Sequence, residues 1–528
     1  MKRNSIAILL FMAIHLTFAQ SSSINWILTD GGNHDDFGTS ITSDENYIYT
    51  TGIFTDTCFI GDTTLISYGA RDVYISKYDK EGNFIWVKQL GNTENDGCTQ
   101  ILHNKGHILM TGYFGGVGTL TGKSFIAPGQ SGFFLLDIDV DGNLNWTKAI
   151  EGTGTASGYA ITTDSENNIY VLGIFEDTLA IDGFSCISKG GDDIFTAKLD
   201  AEGNVIWINQ AGGIGNERST SITSDEYNNV YITGSFEDTA TFGDTTITSL
   251  GYQDIFMVKY NSSGEQIWLK TVGGEWGALT YSIAINRSGQ LFLVGIFGGT
   301  TYFGNDSLIS NGMRDAFLAS YNLSGALQWV KSWGSDEHDF SSDLATDNEF
   351  VYLSCSFAGE TTLSDTILSG NTAQIIQLSN SGEILDFIQL GGYYRNKCAI
   401  DNSSALFVTG ALGPWSQLYG DTVISPSSYS YDIFLTRIDY EHTGVEEFST
   451  SVPHLKIYPN PATDFFNIEI EDVAEVSIAN INGQLMGQYS FNKDVNEKRI
   501  DISGFPPGLY IITVQTKNKI LSGKMIKY

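Results

Sequence analysis

Short runs of alternating apolar and polar side chains fill most of the chain, and they return at a fixed interval. In residues 219–273, Ser221-Ile222-Thr223 is followed by Val230 to Phe236, Asp254 to Tyr260 and Gln266 to Val272. Period-two alternation over a few residues marks half-buried strands, read here as strands a to d of one unit. Asp-Glu-Tyr-Asn-Asn joins a to b and Asn-Ser-Ser-Gly-Glu joins c to d, both compositions of tight turns. The longer b–c segment, Glu237 to Gln253, holds a further expected hairpin at Thr241-Phe-Gly-Asp-Thr-Thr-Ile. No helical window interrupts the units.

The unit repeats. Trp26, Trp86, Trp146, Trp207, Trp268 and Trp329 stand 60, 60, 61, 61 and 61 residues apart. Gly52, Gly112, Gly173, Gly234 and Gly295 keep the same step, continued by Cys355 and Gly410. Such self-similarity indicates a solenoid or a propeller. Strands a and b begin near residues 38, 97, 158, 219, 280, 340 and 396, which makes seven units. The seventh stops after Asp432-Ile-Phe-Leu-Thr-Arg-Ile, without a Trp strand, while the chain opens on an unclaimed one, Ile24-Asn-Trp26-Ile-Leu. One missing strand and one spare suit circular closure, which manages exposed sheet edges. The expectation is an all-β chain: a seven-bladed β-propeller closed by the N-terminal strand, followed by a small immunoglobulin-like β-sandwich. Unit six is the least regular, with Asp386 in place of Trp and Cys355 in place of Gly.

The pattern Asp225…Asn229-Val-Tyr-Ile-Thr-Gly234…Asp254-Ile-Phe…Lys259…Gly264…Trp268 resembles the bacterial seven-bladed propeller-repeat proteins and, more loosely, NHL-type blades. The resemblance covers residues 24–440 and implies fold rather than activity, because one fold hosts many functions.

Both ends of the chain read as addresses. Met1-Lys2-Arg3, the apolar stretch Ile6 to Ile14, and small Thr17 and Ala19 before Gln20 match a signal peptide over 1–19, with cleavage between Ala19 and Gln20. The propeller is expected over 20–440, a linker over 441–452 and a sandwich over 453–528. In that last segment Tyr458-Pro459-Asn460-Pro461, Asn482-Gly483-Gln484, Pro507-Gly508-Leu509-Tyr510 and the terminal Lys524-Met525-Ile526-Lys527 resemble the type A sorting domain of the type IX secretion system. The resemblance implies that secretion machinery is a partner. It also implies passage across the outer membrane of a Gram-negative bacterium, to the cell surface or the medium.

Charge sharpens this picture. The chain of 528 residues carries 28 Lys and Arg against 61 Asp and Glu, a net of −33. Residues 453–528 hold eight basic and eight acidic side chains, so the excess belongs to the repeats. Nucleic acid and anionic membranes are therefore excluded as partners, and no apolar run is long enough for a transmembrane helix. Five cysteines at irregular spacing form no disulfide framework and are read as free thiols.

No catalytic motif emerges. His103 and His107 flank an a–b turn, which is read as a polar turn rather than a metal site. Asp137-Ile-Asp139-Val-Asp141-Gly142 looks like the start of a calcium loop, but Lys148 falls where a bidentate Glu is required, so a hairpin turn is preferred. No cofactor is expected, beyond room for weak, diffuse calcium binding. The periodic Trp residues are assigned to the core, wedged between blades. Three Trp lie outside the period: Trp276, Trp333 and Trp415. With Tyr281, His338 and Tyr419 they are expected on the face of the long connections, as a binding site for a glycan or protein. A non-enzymatic binding protein is the first reading. A polysaccharide-active enzyme and a structural or adhesive surface component are the alternatives. Perturbed carboxylates in one cleft would favour the enzyme, and a channel lined with Ser and Thr would favour binding.

Overall fold

The computed structural model describes residues 22–120, 123–126, 132–149, 154–364, 366–368, 372–390, 396–413, 417–418, 422–423, 430–440, 456–458, 462–469, 473–480, 485–490, 497–516 and 520–527. The chain is all-β, with no helix among these residues. It divides into two compact units between His442 and Thr443.

The first unit contains seven antiparallel four-stranded arrays. Sheet 4 is typical: Arg218–Ser224 (a), Val230–Phe236 (b), Asp254–Tyr260 (c) and Gln266–Gly274 (d) pair in that order. Strands b and c are buried along their whole length, while d is half-buried or exposed until its last three residues, Val272 to Gly274, which are buried. Apolar side chains of adjacent sheets pack face to face. One core cluster, for example, joins Leu172 and Ile194 of sheet 3 to Ile232, Phe236 and Val258 of sheet 4. The first strands of consecutive sheets are neighbours from Phe37–Ser43 through to Lys397–Ile400, and the latter neighbours Phe37–Ser43 in turn.

The N-terminal strand, Ser22–Gly32, lies antiparallel to Asp432–Tyr440, with Ile24 opposite Ile438 and Leu28 opposite Leu435. It supplies the fourth strand of sheet 7. Asp386, the residue that breaks the Trp series, accepts a bond from the Ser22 backbone N–H at 2.6 Å.

The small hairpin expected in one b–c segment recurs throughout. Thr57–Ile60 with Thr63–Ile66 and Thr239–Phe242 with Thr245–Thr248 are two examples. Both of these hairpins also pair with strand d of the preceding sheet, as Gly212 does with Thr241.

The periodic Trp residues refine the sequence expectation. They pack against the core between sheets as expected, but each is only half-buried and covers the c–d turn of the next sheet. Those turns carry Gly82, Gly142, Gly203, Gly264, Gly325 and Gly382 at φ between +77 and +86, a region glycine enters without steric cost. A Cβ built on Gly264 would lie 3.0 Å from Trp207 Cδ2. In four of the six the indole N–H donates to the same turn, as Trp207 does to Ser262 O at 3.2 Å, Trp268 to Leu323 O at 3.2 Å and Trp26 to Lys80 O at 3.0 Å. A cation on strand c reaches that carbonyl too, Lys198 to Ser262 O at 3.0 Å and Lys259 to Leu323 O at 3.3 Å. The Trp, the Gly turn and the cation form one inter-sheet clasp.

The second unit packs Lys456–Tyr458, Phe465–Glu469 and Glu497–Asp501 as one sheet. Leu485–Ser490, Val473–Asn480, Gly508–Thr516 and Ile520–Lys527 form the other. Between them lie Phe466, Ile468, Val476, Ile478, Ile512 and Val514.

Candidate functional site

Every first strand from sheet 1 to sheet 6 carries a β-bulge near its start. The register slips at Gly38/Ser40, Cys98/Gln100, Gly158/Ala160, Ser219/Ser221, Thr280/Ser282 and Ser341/Asp343. A bulge inserts one unpaired residue and re-aims its side chain. The bulged residues are Thr39, Thr99, Tyr159, Thr220, Tyr281 and Ser342, so all six bear a hydroxyl. Thr39, Thr99, Tyr159, Thr220 and Tyr281 line one cavity of about 600 Å³, to which six of the seven sheets contribute. Tyr113, Tyr431, Arg71 and Lys397 complete its wall.

Several of these hydroxyls donate across sheet boundaries: Thr39 to Cys98 O at 2.7 Å, Thr99 to Gly158 O at 2.8 Å and Ser342 to Asn396 O at 2.9 Å. Thr39 and Thr99, which line the cavity, keep acceptor lone pairs. Phe37 stacks on Tyr431 with ring centroids 5.6 Å apart. Lys397 Nζ stands 3.8 Å from Asp343, so its charge is only partly neutralised. Burial raises the Tyr113 and Tyr159 phenols, and Arg71 draws that of Tyr113 back down. Both phenols stay protonated at neutral pH and can donate.

Carboxyls sit behind this wall without lining it. Burial pushes Asp36 up to about 7 against the Thr55 backbone N–H, and Asp432 adds to the rise. Burial likewise lifts Glu217 to about 7 and Asp96 to about 6. Glu217 accepts the Gly213 N–H at 3.0 Å, and Asp96 accepts those of Asn92 and Gly115 at 2.7 and 3.3 Å. These acids secure the connections between sheets and are not gathered in one cleft.

Of the residues singled out from the sequence, Tyr281 lines the central cavity. Trp276 does not: it is 59% exposed and lies over Gly298 and Gly299. Trp333 borders a separate open cleft of about 570 Å³ with Asp336 and Glu360. His338 is exposed and forms a backbone bridge with Arg314. Trp415 and Tyr419 lie outside the described residues, as do Ala19 and Gln20. Among the described residues, Tyr281 and Trp333 thus line different cavities. The cavity residues that reasoning missed share one signal, a hydroxyl at the same step of strand a in each unit, and alternation across an unseen bulge assigns them to the wrong face.

The acidic run at 137–142 is the end of strand Gly132–Asp139 and the hairpin turn that follows it. Asp139 accepts the backbone N–H groups of Asp141 and Asn143 at 2.9 and 2.8 Å. Asp137 is buried and binds His107 instead. Among the described residues no group of three or more His, Cys, Asp or Glu side chains could hold a metal. All five cysteines are free.

In the second unit the motif residues hold structure. Tyr510 donates to Pro506 O at 2.5 Å. Lys527 is buried and donates to Phe505 O at 2.8 Å. Tyr458 pairs with Asn467, Leu509 with Ile526 and Lys524 with Ile511, and Gly508 opens the strand opposite Lys527. Pro459, Asn460 and Pro461 lie outside the described residues. Residues 456–528 match the model of the secretion system C-terminal sorting domain. The tail is a type IX sorting domain. It directs export across the outer membrane to the cell surface or the extracellular space, and so engages the secretion machinery.

Parts of the chain are similar to other proteins. A WD repeat-containing protein of Acanthamoeba polyphaga mimivirus is 27% identical over 236 residues, 38% of this chain and 17% of that protein. Beta-agarase D of Zobellia galactanivorans is 38% identical over 60 residues, 11% of this chain and 12% of that one. An ulvan lyase of Nonlabens ulvanivorans is 30% identical over 135 residues, 24% of each. This chain thus spans a quarter or less of the length of these curated relatives. Among solved structures, the polysaccharide lyase Uly1 aligns at TM-score 0.39 and 11% identity, covering 76% of this chain and 90% of that one. Among the described residues no helix is long and apolar enough to cross a membrane.

Proposed function

We propose that the seven sheets are the blades of a closed propeller whose central cavity binds a saccharide, and that the sorting domain delivers this binding module to the outside of the cell. The ring of bulged hydroxyls carries the reading. Six units place Thr, Tyr or Ser at the one position where strand geometry turns the side chain inward, and five of them share a cavity sized for a small ligand. Hydroxyls that both donate and accept, with the rings of Tyr113, Tyr159, Tyr281 and Tyr431, suit a polyhydroxylated ligand with apolar ring faces. Arg71 and Lys397 favour a sugar bearing carboxylate or sulfate.

A second reading is turnover of such a polysaccharide in the same cavity. The ulvan lyase similarity over 135 residues favours it. The titratable carboxyls that turnover would draw on stand behind the wall, which favours binding.

The secreted protein is tested on an array of neutral and acidic oligosaccharides, followed by a reducing-end and unsaturation assay on each binder. Tyr281→Ala is expected to weaken binding at least tenfold, and Arg71→Ala to weaken acidic sugars selectively. Binding unchanged by both substitutions refutes the assignment, and product formation replaces the first reading with the second.

A further inference from the structure

The inter-sheet clasp lacks its cation in three sheets, and in one of them an acid replaces it. At the strand c position of Lys77, Lys198, Lys259 and Arg437, sheet 5 carries Ser320, sheet 6 Gln377 and sheet 2 Asp137; between sheets 5 and 6 the Gln290 amide donates to Asn380 O instead, at 2.8 Å. The four cations donate to the next turn: Lys77 to Val140 O at 2.9 Å, Lys198 to Ser262 O, Lys259 to Leu323 O, and Arg437 to Lys80 O at 3.2 Å. Asp137 has no proton to give to Ala201 O, the corresponding carbonyl of sheet 3. Two more substitutions accompany it. His107 stands where sheet 1 has Tyr47, and Leu109 where it has Tyr49. In sheet 1 those two rings cover Lys77 Nζ at 3.9 and 5.4 Å. A long cation and a large phenol are thus replaced by shorter side chains.

The result is a pocket of about 460 Å³ between sheets 2 and 3, lined by Asn104, His107, Asp137, Asn145, Trp146, Asn167 and Glu202 among others. His107 Nδ1 donates to the buried Asp137 carboxylate at 2.9 Å, and Asn145 Nδ2 donates to it at 3.3 Å. That bond leaves Nε2 of the half-exposed imidazole as an acceptor. Two buried polar atoms of lining residues have no partner, the donor Trp146 Nε1 and the acceptor Asn167 Oδ1. Trp86 Nε1 is unpaired as well, but in the turn beside it Val140 O already accepts from Lys77, whereas the turn beside Trp146 has no such cation.

We infer that this pocket is a second ligand site, distinct from the central cavity, for a neutral pyranose unit. A bare anion would satisfy the unpaired donor alone and would face Asp137 and Glu202. A cation would satisfy the unpaired acceptor alone. A sugar ring offers hydroxyls that accept from Trp146 and donate to Asn167 and His107, and the volume lies in the range of about 300–1,000 Å³ usual for small-ligand pockets.

The test uses the full chain and a panel of methyl hexopyranosides at millimolar concentration, read by saturation-transfer NMR. The Trp146 indole N–H resonance is assigned from Trp146→Phe. Saturation transfer and a shift of that resonance are expected with at least one glycoside. Asp137→Lys installs the residue of sheets 1, 3 and 4 and refills the pocket, so it should abolish both signals while the melting midpoint holds or rises. His107→Ala leaves the clasp positions untouched and should weaken binding at least fivefold, which serves if Asp137→Lys fails to fold. No glycoside producing either signal overturns the site. So does a signal that survives Asp137→Lys but is lost in Tyr281→Ala, which would belong to the central cavity.

Discussion

Replacing Gly264 by Ala tests the clasp that joins the sheets. Gly264 sits at φ +85, where an L side chain costs about 1–2 kcal/mol. The added Cβ would stand 3.0 and 3.1 Å from Trp207 Cδ2 and Cε2, well inside the roughly 3.5–4.0 Å of a comfortable carbon contact. The indole would have to lift, weakening its bond to Ser262 O, a loss of about 1 kcal/mol. Gly264→Ala should therefore destabilise by about 2–3 kcal/mol. Trp207→Ala should cost about 2–4 kcal/mol, below the usual 3–5 for a buried aromatic because one side of the ring already meets solvent. In the Trp207→Ala background the methyl meets no ring, and only the backbone term remains, so the two changes should couple by about 1 kcal/mol. Gly304 is the control: φ is +73 and nothing lies within 4 Å of its Cβ position, so Gly304→Ala reports the backbone term alone. Denaturant unfolding of the parent, the three single variants and the double variant gives every number. Equal costs for Gly264→Ala with and without Trp207, or equal costs for Gly264→Ala and Gly304→Ala, would refute the clasp.

The buried carboxyls give the first unit a pH dependence of definite sign. Glu217 is raised from 4.5 to about 7, so the fold holds its proton more tightly than the unfolded chain does. The contribution is complete below about pH 4.5 and is lost as pH rises to 7. A melting midpoint that falls between pH 5 and 8, with Glu217→Gln flattening the profile by on the order of 2 kcal/mol, is expected from thermal scans. A protein starting at residue 33 lacks the strand paired with Asp432–Tyr440 and exposes that edge; it should bind a hydrophobic dye and lose its cooperative transition, and an unchanged calorimetric trace would count against closure. Lys527→Met removes a buried ammonium bonded to Phe505 O, which leaves that carbonyl unpaired and should lower the stability of the sorting domain by about 1–2 kcal/mol, measured on its own transition in the full chain.

Strand content, the seven-fold period, the spare first strand and the sorting tail were all legible in the amino-acid order, because each depends on local alternation or on residues a fixed distance apart. Trp207 shows where such reading stops. Its recurrence announced a structural role, but that the ring covers Gly264 of the next sheet, half in solvent, follows from how two sheets lean together. Tyr281 was picked out from sequence for the wrong company. It joins Thr39, Thr99, Tyr159 and Thr220 because a bulge in each strand turns one hydroxyl inward, and a one-residue slip leaves no mark on a hydrophobic pattern. Asp137 read as part of an acidic turn, and its meaning appears only beside the lysines of sheets 1, 3 and 4. Sequence alone determined the elements and their repetition, which short-range sterics and burial control. The tertiary structure alone decided the two cavities, because a cavity is bounded by side chains far apart in the chain whose distances no local rule sets.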